Sequence, residues 1–185
     1  LGANSGEINS TGKLASITVN GSLFGGDGDF SGRVSSVLDM GAVNVKGNIL
    51  GGDGTDSGQF DSKAKLASVT LSGSLSGGAG EYSGRFFSDL DMGAVMIKGN
   101  IIGGASHNTG SLASNQKIGN VTIGGSIIAA DGFGSGSVFS LTSIGNVNIS
   151  GDLKGGAGQQ SGLIYAPNSL GAITIGASVI GGDGA

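Results

Sequence analysis

Four aspartates lie close together in two glycine-rich stretches. Asp27 and Asp29 sit in GGDGDFSG, and Asp53 and Asp56 sit in GGDGTDSG. Carboxylates on tight turns are the oxygen ligands that a hard cation such as Ca2+ takes. Calcium rolls built from tandem G-G-x-G-x-D nonapeptides place a ligand at the sixth position. Here the sixth positions read Phe30, Asp56, Tyr82, Asn108, Gly134 and Gln160. The third-position column reads Asp27, Asp53, Ala79, Ala105, Asp131, Ala157 and Asp183, and the nonapeptides are not in tandem. That pattern excludes a calcium site in every repeat. It leaves one local Ca2+ candidate at Asp27, Asp29, Asp53 and Asp56, against the alternative of exposed turn carboxylates. No other metal or cofactor is expected.

Catalytic groupings are sparse. His107 is the single histidine and cysteine is absent, so neither a nucleophilic triad nor a usual zinc site can be assembled. Enzymes that act on polysaccharides through a parallel β-helix carry Asp, Glu, Lys or Arg clusters on one face. The four aspartates are the one comparable group read from the sequence, and they lack a basic partner. The chain is therefore expected not to be an enzyme, with a carbohydrate-active β-helix domain as the minor alternative. Phe87, Phe139 and Tyr165 fall in one outward column and could stack on sugar rings, which makes them the candidate glycan-binding residues; ordinary surface aromatics are the competing reading.

What must position these residues is a repeat. LASITVNGSLFGGDG from Leu14 aligns with MGAVNVKGNILGGDG from Met40, and the pattern starts again at 66, 92, 118, 144 and 170, a period of 26 without slippage. Each repeat opens on an alternating segment such as Ile17, Val19, Gly21 and Leu23, which reads as a half-buried strand. A second short strand carries the apolar ladder Ile8, Val34, Phe60, Phe86, Leu112, Val138 and Ile164, with a small-residue ladder from Ser10 to Ala166 beside it. Short strands and glycine corners at this period predict one domain over 1–185, an all-β parallel β-solenoid of about seven coils. At about 4.8 Å per coil it would be roughly 34 Å long. A right-handed coil with two or three faces is favoured.

Residues 26 apart become neighbours, so each column of the alignment is a ladder. Gly6, Gly32, Gly58, Gly84, Gly110, Gly136 and Gly162 fill one column, as a positive φ or a close approach requires. The hydroxyl column from Ser5 to Ser161 before it can bond corner backbone groups. Met40 and Met92 belong to a core column. Lys13, Asp39, Lys65, Asp91 and Lys117 alternate in sign, Glu7 stacks beside Arg33, and Lys63 beside Asp89, which would hold the coils in register; a recent duplication would give the same pattern. The column from Phe24 to Ile180 is expected to pack into a corner rather than form an exposed apolar interface.

Composition narrows the partners. Glycine supplies 41 of 185 residues, while charged residues are only 12% and apolar residues 37%, too apolar for a disordered chain. A net charge of −4 without a basic stripe argues against nucleic acid. No apolar run is long enough to insert into a membrane. Both ends stop in mid-coil without a polar cap, so the chain is expected to be a segment of a longer array that self-associates through its ends or faces.

The unit LGxVxIxGxIxGGxGxxSG resembles the β-strand repeats of very large secreted or surface proteins of bacteria, which are similar in architecture to autotransporter passengers and filamentous-haemagglutinin-like adhesins. The resemblance covers nearly the whole chain and rests on architecture and glycine patterning. It implies an extracellular or cell-surface location and a stalk, scaffold or adhesive role, with surface glycans as partners in the adhesive case. It carries over no functional residue.

Overall fold

The computed structural model describes residues 2–183. Three seven-stranded parallel sheets run along it, each taking one strand from every repeat. The first sheet holds Ile8–Ser10, Val34–Ser36, Gln59–Ser62, Arg85–Ser88, Ser111–Ser114, Val138–Ser140 and Ile164–Tyr165. The second begins with the six-residue strands Leu14–Val19, Met40–Val45, Leu66–Leu71 and Met92–Ile97, and the third is made of two-residue strands from Leu23–Phe24 to Val179–Ile180. Partners are always 26 residues apart, as in Ile8 with Val34, Ile17 with Val43 and Leu23 with Ile49. The chain is thus an all-β solenoid of about seven turns, and no helix occurs among the described residues.

Three faces, rather than two, follow from a break inside the alternating segment. The backbone bends between Val19 and Leu23, and side chains continue the coil-to-coil bonding there. Ser22 Oγ accepts the Asn48 N–H at 2.9 Å, Asn48 Oδ1 accepts the Ser74 N–H at 2.8 Å, and Ser74 Oγ accepts the Asn100 N–H at 3.0 Å. Asn100, Ser126 and Asp152 carry the same ladder to Ser178. The second sheet also narrows in the last three coils, to Val121–Ile123, Val147–Ile149 and Ile173–Ile175. There the repeat reads IGN or LGA, and Asn120 Oδ1 takes the Asn146 N–H at 3.0 Å in place of a strand bond.

The core is a stack of apolar rungs facing inward from all three sheets. Met40, Ile49, Phe60, Leu66, Phe86, Ile97 and Ile101 are fully buried. The Phe60 and Phe86 rings stack at 5.2 Å between centroids. The column that starts at Phe24 departs from its expected corner packing. Phe24 is 63% exposed and Ile180 42%, because a two-residue strand buries its first side chain and turns its second outward.

Candidate ligand-binding cleft

The corner between the third and first sheets decides what the sequence's candidate residues can do. The sixth-position column is left-handed throughout the described coils: Asn4, Phe30, Asp56, Tyr82, Asn108, Gly134 and Gln160 have φ between 54° and 63°. Two residues later the glycine column repeats that conformation, with φ from 57° to 69°. The hydroxyls between them close the turn. Ser31 Oγ accepts the Gly26 N–H at 2.7 Å, and Ser57, Ser83 and Thr109 do the same for Gly52, Gly78 and Gly104, each at 2.9 Å. Ser83 is fully buried, so Ser83→Ala strands a backbone donor. Urea denaturation of that variant is expected to show a loss of about 1–3 kcal/mol.

This geometry separates the four aspartates. Asp27, Asp29 and Asp53 stay on the exposed outer corner, and Asp29 Oδ1 accepts the Thr55 N–H at 2.9 Å. Asp56, held left-handed, projects beside the first sheet. Burial raises its pKa, and the nearby Arg33 guanidinium opposes that rise. Among the described residues, no three His, Cys, Asp or Glu side chains converge into a group that could hold a metal ion. His107 stands on the exposed corner, with Nδ1 at 3.1 Å from Glu81 Oε1 and its ring edge-on to Phe133.

The left-handed column forms one wall of a cleft whose floor is the outer surface of the first sheet. Two outward columns make that floor, Arg33, Gln59, Arg85, Ser111, Ser137 and Leu163, and Ser35, Asp61, Phe87, Ala113, Phe139 and Tyr165. Outward residues would ordinarily be wet. Here Gln59 and Asp61 are each 2% exposed and Ser111 1%, because the wall side chains lean over them.

Phe87, Phe139 and Tyr165 therefore share one column. Phe139 and Tyr165 stack at 5.4 Å between centroids. Phe87 and Phe139 flank Ala113 on neighbouring strands, which places them about 10 Å apart. A cavity of about 270 Å3 opens between them. Its origin is visible in the columns: the floor drops to Ala113 between Phe87 and Phe139, and one coil further on the wall drops to Gly134 between Asn108 and Gln160.

The other end of the cleft is charged. A second cavity of about 150 Å3 is lined by Arg33, Asp56, Gln59, Asp61 and Lys63, and Arg85 and Phe87 border both cavities. Arg33 bonds Asp61, and Lys63 Nζ lies 3.1 Å from Asp61 Oδ2. Lys63 thus pairs with buried Asp61 two residues before it in the same coil rather than with the expected Asp89, which accepts from Asn115 Nδ2 at 3.0 Å. The expected Glu7–Arg33 contact is present at 3.9 Å, and Lys65 reaches Asp91 at 3.8 Å. The latter pair is exposed and contributes little.

Arg85 has a different environment. Its guanidinium lies between Tyr82 and Phe87, at 5.1 and 4.3 Å from the ring centroids. Among the described residues no carboxylate oxygen comes within 4.0 Å of it. Burial, only partly offset by Asp56 and Asp61, lowers its pKa to about 10, so it is still a cation at neutral pH. Among the described residues, four buried polar atoms lack a protein partner: Arg33 Nε, Gln59 Oε1, Asp61 Oδ1 and Arg85 Nε. All four residues line the charged cavity.

Sequence reasoning placed the aromatic column correctly but missed this mixed cluster. It took the aspartates of the corner as the one group comparable to an enzyme's and found them without a basic partner. Reading positions 33, 59 and 85 as one ladder, beside 61 and 87, would have exposed it. The trough as a whole, apolar at one end and hydrogen-bonding at the other, suits an elongated ligand with flat apolar faces and polar edges. Compared with family models, with curated proteins and with solved structures, the chain matches none of them.

Proposed function

We propose that this chain is a non-enzymatic structural segment, a stalk or scaffold, of a bacterial extracellular or surface protein. The observation that carries the reading is the 26-residue register, held without a break through three sheets. The Ser, Asn and Asp ladder from Ser22 to Ser178 joins one coil to the next, while the corner hydroxyls and left-handed turns close each coil, which is how a rod of fixed width is kept stiff. The bacterial surface location draws on the glycine patterning that the repeat shares with exported solenoids. The scaffold role needs no cofactor. Self-association of such segments would join coil to coil in the same parallel register. Light scattering and negative-stain microscopy over a concentration series should show growth into rods of uniform width. A stable monomer at high concentration would remove self-association from the reading.

A glycan-binding adhesin module is the second reading, favoured by the cavity between Phe87 and Phe139. Phe139→Ala is expected to weaken saccharide affinity about tenfold, measured by calorimetry, through loss of ring stacking. Unchanged affinity would count against the cleft as the binding site.

A further inference from the structure

We propose that Arg85 binds the carboxylate of an acidic saccharide whose adjoining ring lies against Phe87 over Ala113. The inference rests on the glycan-binding reading and adds the class of sugar to it.

Three independent observations converge on Arg85. It is a largely buried cation with no carboxylate within 4.0 Å among the described residues, flanked by aromatic rings on two sides. Buried charges are ordinarily paired, and Arg33, two coils earlier in the same column, is paired with Asp61. Second, Arg85 stands where the charged and aromatic cavities meet. A ligand seated on Phe87 would bring its substituents to the guanidinium fork, whose planar geometry suits a carboxylate. Third, Gln59 Oε1 and Asp61 Oδ1 are unpartnered acceptors in the adjoining cavity, and Arg33 Nε and Arg85 Nε are unpartnered donors. Unmet donors and acceptors side by side suit a polyhydroxylated ligand, which offers both.

Backbone conformation adds to this. Tyr82 is an aromatic residue held at φ 57°, a region that costs side chains other than Asn, Asp or Gly. The left-handed turn, which every described coil shares at this position, is what lays its ring on Arg85.

Calorimetry with three hexasaccharides tests the proposal: β-1,4-oligoglucuronate, cellohexaose, and sulfated cellohexaose. The first two differ only in a carboxylate against a hydroxymethyl group on each ring. The glucuronate hexamer is expected to bind about 10- to 100-fold more tightly than cellohexaose, the range for a charge-assisted bond. Arg85→Gln should remove the preference, bringing glucuronate and cellohexaose to the same affinity. Phe139→Ala should weaken both. Equal binding of the first two sugars would overturn the acidic assignment while leaving the glycan reading in place. Tighter binding of the sulfated hexamer would overturn the carboxylate assignment, and failure of all three to bind would overturn both readings. Should Arg85→Gln fail to fold, the comparison of the three sugars on the unaltered chain still decides.

Discussion

Phe86→Ala is expected to lower the stability of the solenoid by about 3–5 kcal/mol. Phe86 is fully buried and occupies the middle of the inward ladder of the first sheet, paired in register with Phe60 on one side and Leu112 on the other. Its ring lies 5.2 Å from that of Phe60 at 15°, so truncation removes both buried area and a stacked pair worth about 0.5–1.5 kcal/mol. The void cannot close, because strand spacing is fixed by backbone hydrogen bonds above and below. In a solenoid each coil touches only its neighbours, so a weak central rung also uncouples the two halves. Urea denaturation should show the lower midpoint together with a broadened or split transition. A loss under about 1 kcal/mol would mean that Phe86 is not in the ladder.

Gly110→Ala is expected to cost about 3 kcal/mol or more, although it adds a single methyl group. Gly110 has φ 57°, and an added Cβ would overlap the carbonyl oxygen of Ile102. That oxygen accepts the Gly77 N–H at 2.8 Å, so moving it aside breaks a bond between coils. Gly134→Ala is the matched control. Its φ is 63°, but the new Cβ would meet only the side chain of Asn108, at 2.6 Å from Oδ1. That substitution should cost about 1 kcal/mol, the price of the left-handed conformation alone. Equal losses in the two variants, read by urea denaturation, would show that coil contact plays no part in the glycine column.

Those two substitutions mark what the sequence reveals and what it hides. Ladders were legible because a parallel solenoid turns each alignment column into a physical row: Phe60 and Phe86, the glycines at 32, 58, 84 and 110, and the serines before them all fell where their columns said. The sixth-position column was read for its side chains, Asp56 as a carboxylate that calcium could take, while its place in the turn is set by backbone conformation. Asn, Asp, Phe, Tyr and Gln all occupy that place, and only the observed φ shows what they share. The cleft was half legible. Its aromatic column could be read by period alone, whereas the Arg33, Gln59, Asp61 and Arg85 cluster depends on wall residues leaning over an outward face, which alternation reports as exposed. Likewise the break at Asn20–Ser22 that creates the third sheet is a matter of side-chain capping, and alternation continues straight through it.

The 26-residue coil should act as a unit of length in a rod of constant width. Small-angle X-ray scattering on the chain and on a version with residues 66–117 duplicated in tandem tests it most directly, since that insertion adds two coils and keeps the alternating charge column in phase. The expected result is an unchanged cross-sectional radius and a maximum dimension greater by about 10 Å. A wider cross-section, or an insertion that loops out and leaves the length unchanged, would contradict it.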